Sequence, residues 1–212
     1  MSAIDLDGLS ATPLVSDPYD HLIVPGFLKP DAVTDIERDY PAIENPGSFP
    51  LETLAPDPAF AHFMEELRGP AVCQAFSEKF GIDLTRYPTT ITVRGHCQAK
   101  DGSIHTDTAS KILTVLVYMN TEALAGDGGR LRILRSNSDL NDYAAEVPTA
   151  AGTMLAFRRG ERSWHGHETF VGPRRVIQLN WVTDMAIVRR EQRRHRLSAW
   201  IKTLFYRGER KG

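Results

Sequence analysis

Cysteine is nearly absent from this chain. Its two cysteines, Cys73 and Cys97, stand alone and form no CxxC pair. That disfavours a disulfide framework and a structural zinc site, and it fits a reducing cytoplasm best. Long apolar runs are missing too: no uninterrupted stretch approaches the ~18 residues that a membrane span needs. Residues 1–16 are acidic and lack the basic start and apolar stretch of a signal peptide, so none is expected. Charge of one sign is also lacking. The formal net charge is −2, so bulk electrostatics predicts no nucleic-acid partner. No repeat at solenoid spacing and no long low-complexity tract occurs. What remains is ordinary globular composition. With 212 residues and 42% hydrophobic side chains, the chain can bury one sizeable core, and a single structural domain is expected.

Residues 1–20 mix Asp, Ser, Pro and Gly and read as a loose lead-in. His21 to Leu28 suits a short strand broken at Pro25-Gly26. Pro30 opens a helix running to about Tyr40, with Asp31 in its first turn. Five prolines between Pro41 and Pro58 predict a loop. Helices follow over Ala59–Leu67 and Pro70–Phe80, separated at Gly69 and stopped at Gly81. From Tyr87 the pattern changes to strands: Thr89–Val93, Ile112–Met119, Arg130–Leu134 after the turn at Gly126–Gly129, Thr153–Phe157, and the alternating Arg175–Thr183. Helices followed by many short strands predict an α+β plan, with helices buttressing a β-sandwich or open barrel. The expected organisation is an N-terminal strand-and-helix segment (1–86), a β core (87–184) and a C-terminal appendage (185–212). The tail from Arg189 holds nine Lys or Arg against two Glu, with Leu197, Trp200, Ile201, Leu204 and Phe205 on one helical face. It reads as a basic amphipathic helix packed on the domain. Its sharper reading is contact with an anionic membrane or an acidic partner through residues 189–207.

The residues that carry chemistry begin at His105-Thr106-Asp107. On an extended segment side chains alternate, so this imidazole and carboxylate point to the same side. His165, in Ser163-Trp164-His165-Gly166-His167, can complete a set of two imidazoles and one carboxylate. That set is the facial triad of non-haem Fe(II) oxygenases, which leaves coordination positions open for a co-substrate and O2. Arg175 lies ten residues after His165, beyond a turn at Gly172-Pro173. If the two sit on neighbouring strands, the guanidinium can point into the pocket behind the metal, where it suits a carboxylate through paired hydrogen bonds. Arg174 reads as a surface residue.

Taken together these segments resemble the Fe(II)- and 2-oxoglutarate-dependent dioxygenases, particularly their prolyl-4-hydroxylase-like branch. Val117-Tyr118-Met119-Asn120 is similar to the strand that follows HxD in prolyl hydroxylases, and Gly128-Gly129-Arg130-Leu131-Arg132-Ile133 to a later one. The resemblance covers roughly Tyr87 to Asp184. It implies a double-stranded β-helix (jelly roll) with Fe(II) held by His105, Asp107 and His165, and with 2-oxoglutarate and O2 as co-substrates. Arg175 would grip the distal carboxylate of 2-oxoglutarate, and Tyr118 would donate its hydroxyl to it. Ile177, Leu179 and Trp181 share Arg175's face and so are expected to line the pocket, with Leu131 as an apolar wall. Gln178 and Asn180 fall on the opposite face.

His167 competes with His165, which is preferred for its ten-residue distance to Arg175. His96 occupies a stretch where prolyl hydroxylases often show a tyrosine, which loosens the link to prolyl specificity. The implied activity is hydroxylation of a C–H bond in a peptide residue or small metabolite. The alternative is a non-catalytic, cupin-like jelly roll that binds a metal or a sugar.

Overall fold

The computed structural model describes residues 2–120 and 128–184, together with Ala186 and Arg189. The expected tail helix, with Leu197 to Phe205, and part of the expected turn at Gly126–Gly129 lie outside the described residues. No described helix is long and apolar enough to cross a membrane.

The lead-in is more ordered than its composition suggests. Leu6–Ala11 forms helix α1, begun by Asp5, whose side chain accepts from the Gly8 N–H at 3.0 Å. Leu9 is fully buried. Glu66 fixes what precedes α1, accepting from the Ala3 N–H at 2.8 Å and the Ile4 N–H at 3.2 Å. Strand β1 (His21–Val24) and helix α2 (Pro30–Arg38) follow. The proline-rich segment is mostly loop but places a two-residue strand, β2 (Phe49–Pro50). Helices α3 (Pro58–Leu67) and α4 (Pro70–Phe80) each open on proline, where the missing N–H has no intrahelical partner to lose. Gly81 ends α4 in a left-handed conformation, as a helix C-terminus favours.

The remaining strands are β3 (Thr89–Cys97), β4 (Lys111–Tyr118), β5 (Arg132–Leu134), β6 (Tyr143–Glu146), β7 (Met154–Arg158), β8 (His165–Gly166) and β9 (Gly172–Val182). They build two antiparallel sheets, one ordered β1-β7-β4-β9-β3-β2 and one ordered β6-β5-β8. The helices cover one face of the larger sheet. There Leu113, Val115 and Val117 of β4 and Ile177, Leu179 and Trp181 of β9 join Phe60, Phe63, Phe76 and Phe80 in one core. The other face meets the smaller sheet through a second cluster that includes Tyr118, Leu131, Ile133, Leu155, Phe157 and Val176. Alternation along β4 and β9 thus serves both layers, because neighbouring residues point to opposite faces.

β6 has no counterpart among the expected strands. Its sequence, Tyr-Ala-Ala-Glu, lacks β-branched residues. Pairing with β5 and ion pairs from Arg132 to Glu146 (2.8 Å) and Glu168 (3.0 Å) hold that sheet together.

Candidate active site

Between the two sheets lies an open cavity of about 370 Å³, lined by residues of β3, β4, β7, β8 and β9 and of the turn before His105. His105 and His165 face each other as antiparallel partners, each N–H bonded to the other's carbonyl at 3.0 Å. Their rings stand 4.4 Å apart. Asp107 lies two residues along, on the same side. One ligand atom from each of His105, Asp107 and His165 lies within 4.8 Å of the others.

The surrounding hydrogen bonds prepare these side chains for a cation. His105 Nδ1 meets the Ser103 carbonyl at 2.8 Å, and His165 Nδ1 meets the Ser163 carbonyl at 2.9 Å. A carbonyl only accepts, so each Nδ1 carries a proton, and Nε2 is the atom each ring can offer to a metal. Burial pushes the His165 imidazolium down to about 4, against the attraction of Asp107, so the ring is neutral at pH 7. Asp107 behaves oppositely. Burial opposes its charge, but Lys111, His165 and hydrogen bonds from Lys111 (2.7 Å) and Thr114 (2.5 Å) hold the carboxyl below its ordinary range. The result is two imidazoles presenting Nε2 and a carboxylate on one side of the cavity, a donor set suited to a divalent transition metal.

Deeper in, the floor is apolar apart from one cation. Leu116, Leu131, Phe157 and Val176 line it, and Arg174 enters it from β9. Arg174 is 5% exposed, and its Nε donates to the Gly129 carbonyl at 2.7 Å. No acidic side chain among the described residues pairs with it. Its guanidinium stands 5.5 Å from the Tyr118 ring. The Tyr118 hydroxyl is buried and meets no acceptor among the described residues, while the Arg174 guanidinium lies near enough to favour its oxygen. Burial raises its pKa, with the Arg174 charge opposing, so it stays a donor. An unpaired guanidinium beside an orphaned hydroxyl fits an anion with several acceptor oxygens.

Residues 83–183 match the family model described as the 2OG-Fe(II) oxygenase superfamily. A Pseudomonas putida prolyl-4-hydroxylase aligns at 16% identity over 84% of this chain and 97% of its own, with a TM-score of 0.54. A viral collagen prolyl hydroxylase from Paramecium Bursaria Chlorella virus-1, solved as a 2OG complex, aligns at 15% identity over 80% and 99%, with a TM-score of 0.55. HygX from Streptomyces hygroscopicus, solved with nickel and 2-oxoglutarate, aligns at 13% identity over 76% and 81%, with a TM-score of 0.51. At these identities the likeness establishes the fold. No curated protein matches the chain.

Within this site the expectation for β9 needs correcting. Arg175 was expected to enter the pocket, with Ile177, Leu179 and Trp181 beside it. The structure turns all four to the helical side. Arg175 stacks 5.1 Å from the Tyr40 ring and approaches the Glu37 carbonyl at 3.5 Å. Ile177, Leu179 and Trp181 are core residues, with Trp181 5.6 Å from the Phe76 ring. The cavity face of β9 is Arg174, Val176 and Gln178. Arg175, Ile177, Leu179 and Trp181 do share a face, but the ten-residue spacing from His165 assigns that face to the wrong side, since a shift of one residue exchanges the two faces. A signal was available: Ile177, Leu179 and Trp181 suit a core, whereas Gln178 and Asn180 suit a polar cavity.

Leu131 lines the cavity. His167 also lines it but stays outside the three-residue ligand group, its Nδ1 against the Glu168 carbonyl at 2.8 Å. His96 lies outside the cavity, its Nδ1 3.1 Å from the Ile43 carbonyl. Two supports had no local sequence signal. The Thr114 hydroxyl binds Asp107, and the Tyr19 hydroxyl donates to the Trp164 carbonyl at 2.9 Å, steadying the segment that carries His165.

Proposed function

We propose that this chain hydroxylates a C–H bond of its substrate as an Fe(II)- and 2-oxoglutarate-dependent oxygenase, with His105, Asp107 and His165 as the iron ligands. Arg174, with Tyr118 behind it, takes the distal carboxylate of 2-oxoglutarate. The two sheets are read as the sides of a double-stranded β-helix. The observation that carries the assignment of these residues is the pair of unmet groups, the Arg174 guanidinium and the Tyr118 hydroxyl, behind a converged His-Asp-His set. A module that merely held a metal or a sugar would have no use for that pair.

When bound, iron and 2-oxoglutarate supply the oxidation, with O2 consumed and 2-oxoglutarate converted to succinate and CO2. The chain's own part is positional. The Ser103 and Ser163 carbonyls fix the two imidazoles in the tautomer that offers Nε2. Thr114 orients the Asp107 carboxylate from a buried position. Arg174 sets how far the co-substrate reaches into the floor, and Leu116, Leu131, Phe157 and Val176 exclude water around its carbon chain.

Anaerobic titration of the Fe(II)-loaded protein with 2-oxoglutarate tests this. The weak visible charge-transfer band of an iron–2-oxoglutarate chelate is expected, and it should vanish in Asp107→Ala. A folded wild-type protein that gives no band would sink the assignment.

A further inference from the structure

The cavity holds more positive charge than this chemistry uses. Four cationic side chains line it, Arg94, Lys100, Lys111 and Arg174, against two carboxylates, Asp101 and Asp107. A divalent ion adds two positive charges and 2-oxoglutarate returns two negative ones, so the excess persists in the loaded site. Arg94 is held by Asp101 at 2.7 Å, and Arg174 faces the co-substrate. Lys100 sits on an exposed turn, where water and salt screen it.

Lys111 is different. Its side chain is only 15% exposed, and its Nζ lies 2.7 Å from Asp107 Oδ1. Asp107 Oδ2 already accepts from the buried Thr114 hydroxyl at 2.5 Å. An ion bound by Asp107 must therefore displace or share with one of these donors. It repels the ammonium and not the neutral hydroxyl, so Lys111 is the group that yields. No other carboxylate among the described residues pairs with Lys111. A largely buried ammonium that loses its partner is costly until another anion arrives.

We propose that Lys111 seats an anionic group of the primary substrate, a carboxylate or a phosphate, beside the metal. The inference rests on the function proposed above and narrows it. Thr92 and Gln178, register partners on β3 and β9 that both line the cavity, supply neutral hydrogen-bonding groups next to that seat. The substrate is then an acid or phosphorylated compound whose charge lies a few bonds from the carbon attacked, rather than an internal residue of a neutral peptide.

The test uses the full chain loaded with zinc, which supports no oxidation, and saturated with 2-oxoglutarate. Calorimetry compares phenyl phosphate and N-acetylproline with the neutral N-acetylprolinamide. At least one anion should bind about tenfold or more tighter than the amide. Lys111→Met should erase that preference and Lys111→Arg keep it, while zinc binds Lys111→Met as tightly as wild type or tighter, its competitor for Asp107 being gone. Equal binding of anions and amide, no binding of either anion to wild type, or a preference that survives Lys111→Met would overturn the proposal. The underlying function is judged separately by whether 2-oxoglutarate binds the zinc-loaded protein. If it binds and the anion preference is missing, only the role of Lys111 falls.

Discussion

Exchanging the two adjacent arginines of β9 for methionine separates the cavity face from the core face. Arg174→Met removes a guanidinium that donates to the Gly129 carbonyl at 2.7 Å and that no acid among the described residues neutralises. If 2-oxoglutarate supplies the missing carboxylate, the variant forfeits a charge-assisted pair worth about 2–4 kcal/mol, or roughly 30- to 1,000-fold in affinity. Its unliganded stability should hold or rise, because an unpaired buried charge has gone. Arg175→Met should show the converse. It loses the contact with Tyr40 and leaves the half-buried Glu37 carboxylate, whose buried Oε1 has no hydrogen-bond partner, without the nearby positive charge that opposes its desolvation. A stability loss of about 1 kcal/mol is expected, with 2-oxoglutarate affinity within about twofold of wild type. Titration of the zinc-loaded protein with 2-oxoglutarate, beside chemical denaturation of the unloaded protein, reads both quantities. Loss of affinity in Arg175→Met with none in Arg174→Met would refute the assignment of faces.

Three further substitutions probe the same architecture. Tyr118→Phe should weaken 2-oxoglutarate by about five- to tenfold in that titration without lowering stability, because the buried hydroxyl it removes donates to no acceptor among the described residues; a clear drop in melting temperature would count against this. Thr114→Val keeps the shape of the side chain but takes the 2.5 Å hydrogen bond from Asp107, so zinc affinity measured by chelator competition should fall about 10- to 100-fold. Unchanged affinity would show that Asp107 needs no such support. Trp181→Ala should cost about 3–5 kcal/mol, a melting-temperature loss of roughly 6–20 °C, since the ring is 1% exposed and packs on Phe76. A protein of near-normal stability that had lost 2-oxoglutarate binding would return Trp181 to the cavity.

The metal-binding geometry was legible because it depends on local rules. His105 and Asp107 share a side through the two-residue alternation of extended chain, and His165 stood in a short segment offering only His167 as a rival. The helices over Pro58–Leu67 and Pro70–Phe80 were legible from their opening prolines and the stop at Gly81. What escaped depends on partners remote in sequence. The segment leading into α1 is held by Glu66, some sixty residues away, and Tyr19 reaches Trp164 across 145 positions. The choice between Arg174 and Arg175 turns on a single residue of spacing, and a distance counted along the chain does not report which side of β9 the helices cover. The side chains that follow do report it, once their own burial preferences are allowed to outweigh the count.

β9 shows why the two arginines differ so sharply in consequence. On the helical face, Ile177, Leu179 and Trp181 are each at most 1% exposed and join aromatic side chains from α3 and α4. On the other face the same strand presents Arg174 without an acid, beside the Tyr118 hydroxyl of the neighbouring strand β4, which has no acceptor. Unmet polar groups of this kind reduce stability in the unliganded protein, and they persist only where the surrounding packing is strong enough to hold them. The apolar face of β9 provides that packing on the same backbone. The Gly129 carbonyl and the Tyr118 ring hold the Arg174 guanidinium, and Trp181 helps anchor the strand beneath it. The core therefore does more than stabilise the fold: it keeps the guanidinium placed for a carboxylate before any carboxylate is bound, so less ordering remains to be done when the co-substrate binds.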